Sequence, residues 1–368
     1  MDYQKSNIIA DKAMGAMMGQ ATGDALGTTL EFSHVSNAPK WPERMKGPHT
    51  EIIGEGPFRL AAGQVTDDTH LACCIAASLV EHDGFDAKDI ADRYVEWREH
   101  TFDIGGTTIG GIRGYQETKD PRMGGYLGWH KSGRSAAGNG SLMRTSPLGV
   151  FYADEEDEAL VRLASLQESA ITHAHPYCTM ACAAFNSAIA CGVKGGTRQE
   201  MWRAAWNGLR RAVVELGEFA KYRRENVDPT IYPKDPEIVR CFYDLQDDLT
   251  AARDDDPKIE RPNGFVRTSF RLAFYQLLHA ESFEDGLLDT VNRGGDSDTN
   301  GAIAGALLGA YFGLNDIPER WAEAVETCKP VRGEVFATKY HPQHLFYLAE
   351  HVCAPRAVSS EEPAESTL

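Results

Sequence analysis

The sequence predicts an all-α protein folded as a single domain, and three observations carry that prediction. No run alternates apolar and polar residues as a half-buried strand would, and no strand–helix–strand rhythm appears. The apolar stretch after Asn300, Gly301 to Ala310, is too long for a typical strand. Two stretches far apart in the chain open such runs in the same way, Thr66-Asp67-Asp68-Thr69 and Asp296-Ser297-Asp298-Thr299. The chain must close on itself to join them. That argues for one domain over residues 1–353, with a charged insertion at about 223–264 and a disordered Ser-, Glu- and Pro-rich tail at 354–368.

Ile8 to Leu26 carries Ala, Met and Gly at close spacing and reads as a buried helix whose small faces admit close neighbours. Glu31 follows Gly23-Asp24-Ala25-Leu26-Gly27; alone it reads as a solvated loop carboxylate, with a metal ligand or base as the functional alternative. His34 to Leu60 is rich in Pro, Gly and charge and reads as a loop able to cover a site. A helix follows Thr66, broken by Gly84. Asp86 to His100 is helical, with Ile90, Tyr94 and Trp97 recurring on one side. Asp103 precedes a further helix running through Gly114, which it is placed to cap.

Ala137-Gly138-Asn139-Gly140-Ser141-Leu142-Met143-Arg144 is a Gly-rich turn into a helix, a type of turn whose free N–H groups cradle anions; the Gly-Lys-Ser/Thr ending of a Walker loop is missing. Glu155 to Thr172 is helical and closes at Thr172-His173-Ala174-His175-Pro176, where the His pair reads as ligand-facing or capping rather than zinc-binding. Tyr177 to Val193 is a buried Ala- and Cys-rich helix, and Arg198 to Tyr222 is amphipathic. Arg223 to Gly264 reads as peripheral, with one short helix near Pro236 to Ala252. Helices at Val266–Ala280, Phe283–Val291, after Asp296, at Ile317–Cys328 and near His341–Val352 complete the chain.

The 368 residues are 42% hydrophobic, enough for a sizeable core, and the formal net charge of −17 argues against nucleic acid or an anionic membrane as the main partner. The first residues lack a signal-peptide pattern, and the run Ala302 to Leu314 is too short to span a bilayer. Eight cysteines without a CxxC pair form neither a disulfide framework nor a zinc site; a reducing cytosol fits best, giving a cytoplasmic expectation.

The two acidic stretches carry the chemistry. Read one at a time, each is a pair of ordinary helix N-caps. One cap needs one side chain, however, and each stretch offers several. Brought face to face they supply six or more hard oxygens, which suit Mg2+, Mn2+ or Ca2+ rather than zinc. Asp67, Asp68, Asp296 and Asp298 packed together without cations would repel, and a two-metal site resolves that repulsion.

Taken in order, these motifs resemble those of the ADP-ribosylglycohydrolases, which include the dinitrogenase-reductase-activating glycohydrolase and the ADP-ribosylhydrolases. The resemblance runs from about Ile8 to Cys328. It implies an all-α orthogonal bundle around a binuclear Mg2+ or Mn2+ centre, and cleavage of the bond between C1″ of ADP-ribose and an acceptor side chain, ADP-ribosylarginine first among them. Residue by residue, it implies Thr66, Asp67 and Asp68 as one metal-ligand cluster and Asp296, Asp298 and Thr299 as the other. Glu31 resembles the acid that approaches a metal or its water, and Asp103 the aspartate near the scissile bond. The turn with Gly138, Asn139, Gly140, Ser141 and Met143 resembles the loop that holds the diphosphate, with His173 beside the ligand. The Arg223–Gly264 segment and the Pro-rich stretch before Leu60 depart from compact members and flank regions able to choose the substrate. Partners expected are an ADP-ribosylated protein or a small ADP-ribose conjugate, with no nucleic acid, no membrane and a monomeric state. The alternatives are a hydrolase of another ribosyl compound, such as O-linked ADP-ribose, O-acetyl-ADP-ribose or a nucleoside, and a binding or immunity protein that neutralises an ADP-ribosyltransferase.

Overall fold

The computed structural model describes residues 3–32, 48–259, 264–331 and 334–353. Sixteen α-helices account for most of them: α1 (Tyr3–Gly27), α2 (Asp67–His82), α3 (Ala87–Trp97), α4 (Gly106–Thr118), α5 (Gly124–Lys131), α6 (Ser146–Phe151), α7 (Ala159–Thr172), α8 (Pro176–Val193), α9 (Arg198–Asn226), α10 (Asp235–Asp254), α11 (Val266–His279), α12 (Phe283–Asn292), α13 (Ser297–Phe312), α14 (Glu319–Glu326), α15 (Glu334–Thr338) and α16 (Gln343–Cys353). Among the described residues the β-structure amounts to two isolated bridges, Glu55 with Leu60 and Gly138 with Phe265, so the all-α expectation holds. Residues 34–47 of the loop expected over His34–Leu60, and the whole tail from Ala354, lie outside the described residues.

The centre of the fold is an antiparallel seam between α1 and α13. Gly15, Gly19, Gly23 and Gly27 face Gly309, Gly305, Gly301 and Ser297 in turn. A Cβ on any of the first four would fall well inside contact distance of the opposite backbone oxygen. Four glycines at i, i+4 spacing thus make one bare stripe on α1, and the two backbones meet without intervening side chains. The seam places the C-terminal end of α1, and Glu31 beyond it, against the N-terminus of α13. Two bonds lock that end: Ser297 Oγ donates to Gly27 O at 2.7 Å, and Phe32 N donates to Gly295 O at 2.7 Å.

Around the seam, α8 is buried on nearly all sides between α6, α7, α9 and α13. It is long and apolar enough to cross a membrane by length and composition, and 89% of it lies inside the protein. The amphipathic reading of α9 holds: Met201, Ala205, Leu209, Ala212, Leu216 and Ala220 form its buried stripe, behind a Thr197–Glu200 capping box.

The charged stretch after Arg223 departs from its expectation. Its helix α10 is 20 residues long, and Ile238, Cys241, Leu245, Leu249 and Ala252 join the principal core. Their spacing is helical, but the charges between them masked it. The helices α5 and α15 were not expected from the sequence, and α7 begins at Ala159, later than Glu155.

Candidate active site

Helix termini and two loops converge on a cleft of about 280 Å³ at one end of the seam. Its lining includes Glu31, Asp67, Asp68, Asp103, Asp296 and Asp298, with Thr299, Gly138, Asn139, Gly140, Met143 and His173 alongside. A wider groove of about 900 Å³ runs along α7, α8 and α9, but its carboxylates alternate with Lys and Arg rather than converging.

The acidic groups are not used up as helix caps. Thr66 stands at the N-cap of α2 and Asp296 at that of α13, and neither side chain makes a capping bond. The cap of α2 comes from elsewhere. Asp24, fully buried on α1, accepts from Thr66 N (3.0 Å), Thr66 Oγ1 (3.0 Å), Thr69 N (3.2 Å) and Thr69 Oγ1 (2.6 Å). This leaves Asp67 and Asp68 free to face the cleft. Gln20, one turn earlier on α1, donates to Asp68 O and Met143 O and so ties α2 to the Gly-rich loop. Asp103 does not cap the next helix either; the N-cap of α4 is Gly105, and Asp103 turns into the cleft.

On the opposite side, Asn139 Nδ2 donates to Asp296 Oδ2 at 2.7 Å and to Ser269 Oγ at 3.0 Å. Gly264 closes over this pair, with its O accepting from Asn139 N at 2.8 Å. A Cβ there would sit 2.8 Å from both Asn139 Oδ1 and Asp296 Oδ2, so the close approach requires glycine.

The electrostatics are those of an acid cluster with too many negative charges. Burial, then Asp298, Asp103, Asp296 and Asp67, push Glu31 up to about 12. Burial raises Asp103 to about 6, against a hydrogen bond shared with Asp67. Burial first and neighbouring carboxylates second hold Asp67, Asp68 and Asp298 well above the carboxylate range. Glu31, at 8% exposure, is buried, which overturns its solvated-loop reading. Ligand oxygens of Glu31, Asp296 and Asp298 all lie within 4.8 Å of one another. Among the described residues Glu31 Oε2 and Asp68 Oδ1 are buried without a hydrogen-bond partner. Buried, unpaired, oxygen-only donors in one cleft fit hard divalent cations and do not fit zinc.

Two residues from the sequence reading stand behind the lining. The Thr66 hydroxyl is held between Asp24 and Asp68 Oδ2, and Ser141 Oγ is held by Ser169 and Cys182. His175 is a cap, accepting from Tyr177 N. Sequence reasoning missed the roles of Asp24 and Gln20, and the place of Phe32, Thr107, Thr108 and Gly264 in the wall. An aspartate among small residues inside a buried helix was the one available signal, for Asp24. Phe32 gave none: it is 63% exposed and adopts a φ of 57°, a left-handed backbone rare for a bulky side chain.

Comparison with known proteins places the chain in a family. The family model for ADP-ribosylglycohydrolase matches residues 5–354. An ADP-ribosylarginine hydrolase Tri1 from Pseudomonas putida is 28% identical over 326 residues, covering 86% of this chain and 74% of the relative. An ADP-ribosyl-[dinitrogen reductase] glycohydrolase from Rhodospirillum rubrum is 28% identical, covering 86% of this chain and 91% of the relative. A solved ADP-ribosylglycohydrolase-related protein complex superposes with a TM-score of 0.66 at 27% identity, over 93% of this chain and 99% of that one. The chain belongs to the ADP-ribosylglycohydrolase family and is a glycosidic hydrolase.

Proposed function

We propose that this member of the ADP-ribosylglycohydrolase family hydrolyses the bond between C1″ of ADP-ribose and a protein side chain, with ADP-ribosylarginine as its substrate. One observation carries the reading: six carboxylates from four separate parts of the chain line one cleft beside a Gly-rich loop suited to a diphosphate. The relative named as an ADP-ribosylarginine hydrolase supports the acceptor.

Asp67 and Asp68 on one side and Asp296, Asp298 and Thr299 on the other would hold two divalent cations, Mg2+ or Mn2+, with Thr66 positioning Asp68 from behind. Such ions supply Lewis acidity and neutralise the charge of the cluster. The chain's own residues do the rest. The loop from Gly138 to Met143, with Ser141 supporting it from behind, orients the diphosphate, and His173 faces it from just beyond the C-terminal end of α7. Glu31, whose Oε2 is buried without a hydrogen-bond partner in the cleft wall, is the base: in its ionised form it takes a proton from the attacking water. Asp103, raised to about 6 by burial, titrates near neutrality and protonates or pairs with the leaving guanidine. The cleft orients the ribose so that C1″ develops positive charge within reach of these carboxylates.

We infer further that the protein works as a monomer in the reducing cytoplasm, on an ADP-ribosylated protein or a small ADP-ribose conjugate. The described cysteines are all free, and the formal charge of −17 disfavours nucleic acid and anionic membranes.

The test is release of ADP-ribose from arginine-ADP-ribosylated and serine-ADP-ribosylated protein with Mg2+, with Mn2+ and with EDTA. Metal-dependent release from the arginine conjugate is expected, and Asp296→Asn should lower it by more than about a hundredfold while the helical CD spectrum stays the same. Release from the serine conjugate alone would overturn the acceptor, and full activity of the variant would overturn the ligand assignment.

A further inference from the structure

A fully buried polar chain runs behind the cleft. Arg144 Nε donates to Glu168 Oε1 at 2.9 Å, and Tyr94 OH donates to the same oxygen at 2.7 Å. Arg144 Nη2 donates to Thr172 Oγ1 at 2.7 Å, and Thr172 Oγ1 lies 2.7 Å from His173 Nδ1. The guanidinium also sits 4.5 Å over the Tyr94 ring. Arg144, Glu168, Tyr94 and Thr172 are all inaccessible to solvent, and the chain ends at the imidazole that lines the cleft.

Donor and acceptor bookkeeping fixes the state of that imidazole. A guanidinium only donates, so Thr172 Oγ1 accepts from Arg144. The Thr172 hydroxyl carries one proton, and His173 Nδ1 is its remaining partner among the described residues. If Nδ1 donated instead, that hydroxyl proton would be buried without an acceptor. Nδ1 is therefore the acceptor, and a neutral ring must carry its proton on Nε2. Burial and the nearby Arg144 charge both favour the neutral ring. Nε2 faces the Gly-rich turn: a Cβ on Gly140 would come within 2.9 Å of it, and one on Gly138 within 3.6 Å.

We propose that Thr172 is a positioning residue which, oriented by Arg144, holds His173 as the Nε2–H tautomer and so presents a fixed neutral donor to a phosphate oxygen of the substrate at the Gly138–Gly140 turn. The choice of phosphate rests on the ADP-ribosyl reading given above; the tautomer does not. Fixing the proton removes the alternative in which a ring nitrogen lone pair faces a phosphate oxygen and repels it.

The experiment is long-range 1H–15N NMR on the full-length, 15N-histidine-labelled protein, with the His173 signals assigned by their loss in His173→Gln. In the wild type Nδ1 should show the shift of an unprotonated nitrogen and Nε2 that of a protonated one, with no change between pH 6 and 8. Substituting Arg144 would strand a buried carboxylate, so the perturbation is made at Thr172. Thr172→Val keeps the shape and removes the hydroxyl. It should mix the two tautomers and weaken binding of free ADP-ribose about tenfold, raising KM more than it changes kcat. Thr172→Ser should restore both readouts. A protonated Nδ1 in the wild type, or an unchanged tautomer in Thr172→Val, would overturn the proposal; if the valine variant fails to fold, the wild-type spectrum still decides it. The expected tautomer with no binding of ADP-ribose would instead overturn the ADP-ribosyl reading and leave the tautomer assignment standing.

Discussion

Thr66–Thr69 and Asp296–Thr299 are alike in composition and meet at one cleft, yet they are held there by opposite means. The first is held by charge. Asp24 reaches from α1 and gathers four donors from Thr66 and Thr69, so both threonines of that motif turn away from the cleft. The second is held by backbone contact. Its helix is pressed against α1 through the glycine seam, and Ser297 and Gly295 bond across it. Its threonine, Thr299, stays in the lining. One kind of motif can therefore expose two acids and hide its hydroxyls, or expose acids and hydroxyl together, according to what stands behind it.

The two means of support predict different losses. Asp24→Ala strands the two backbone N–H groups and removes an acceptor that burial has already made costly to keep. It should lower unfolding stability by about 3 kcal/mol or more and reduce metal affinity through Asp67 and Asp68. Chemical denaturation with and without Mg2+ measures both; a variant as stable as the wild type would show that Asp24 does not support the first cluster. Gly23→Ala attacks the second. In an isolated helix this change gains about 1 kcal/mol. Here the added carbon would overlap Gly301 O across the seam, and a loss of about 1–3 kcal/mol is expected instead. The sign of the measured change decides between propensity and contact.

How far the sequence was legible follows the same division. Helices with a clear apolar period, such as α3 with Ile90, Tyr94 and Trp97, were readable because the period is local. The acids were readable because several carboxylates opening two apolar helices have few bland explanations. What was not readable depends on residues far apart in the chain. The capping of α2 by Asp24 spans 42 residues. The helix α5 carries Gly124, Gly125 and Gly128, a composition that disfavours helix on its own. It forms because Gly124 and Gly125 rest on the backbone of Ile171 and Ala170 and Gly128 on that of Gly110, contacts visible only once the chain is folded. The tautomer of His173 likewise depends on Arg144 and Glu168, which no local pattern connects to it.

The smallest effect separates the protons of the acid cluster from those of the buried histidines. Burial raises Asp24 and Asp103 to about 6, so near pH 5 the folded, metal-free protein keeps protons that the unfolded chain has released. Their contribution is complete below the ordinary carboxylate range and is lost as pH rises through about 6. The buried rings of His70 and His175, lowered to about 3 and 4, act in the opposite sense: their contribution is complete above about 6.5 and is lost as pH falls. The melting temperature of the metal-free protein mixes the two trends. The difference in Tm between Mg2+-loaded and EDTA-treated protein does not, because the cations displace protons from the carboxylates and leave those two rings untouched. That difference should widen from pH 5 to pH 7.5 by a few degrees. Asp24→Ala should narrow it by disordering the first cluster. Gly23→Ala should shift both melting curves together and leave the difference nearly intact. Equal narrowing by both variants would mean that the two clusters are not held independently.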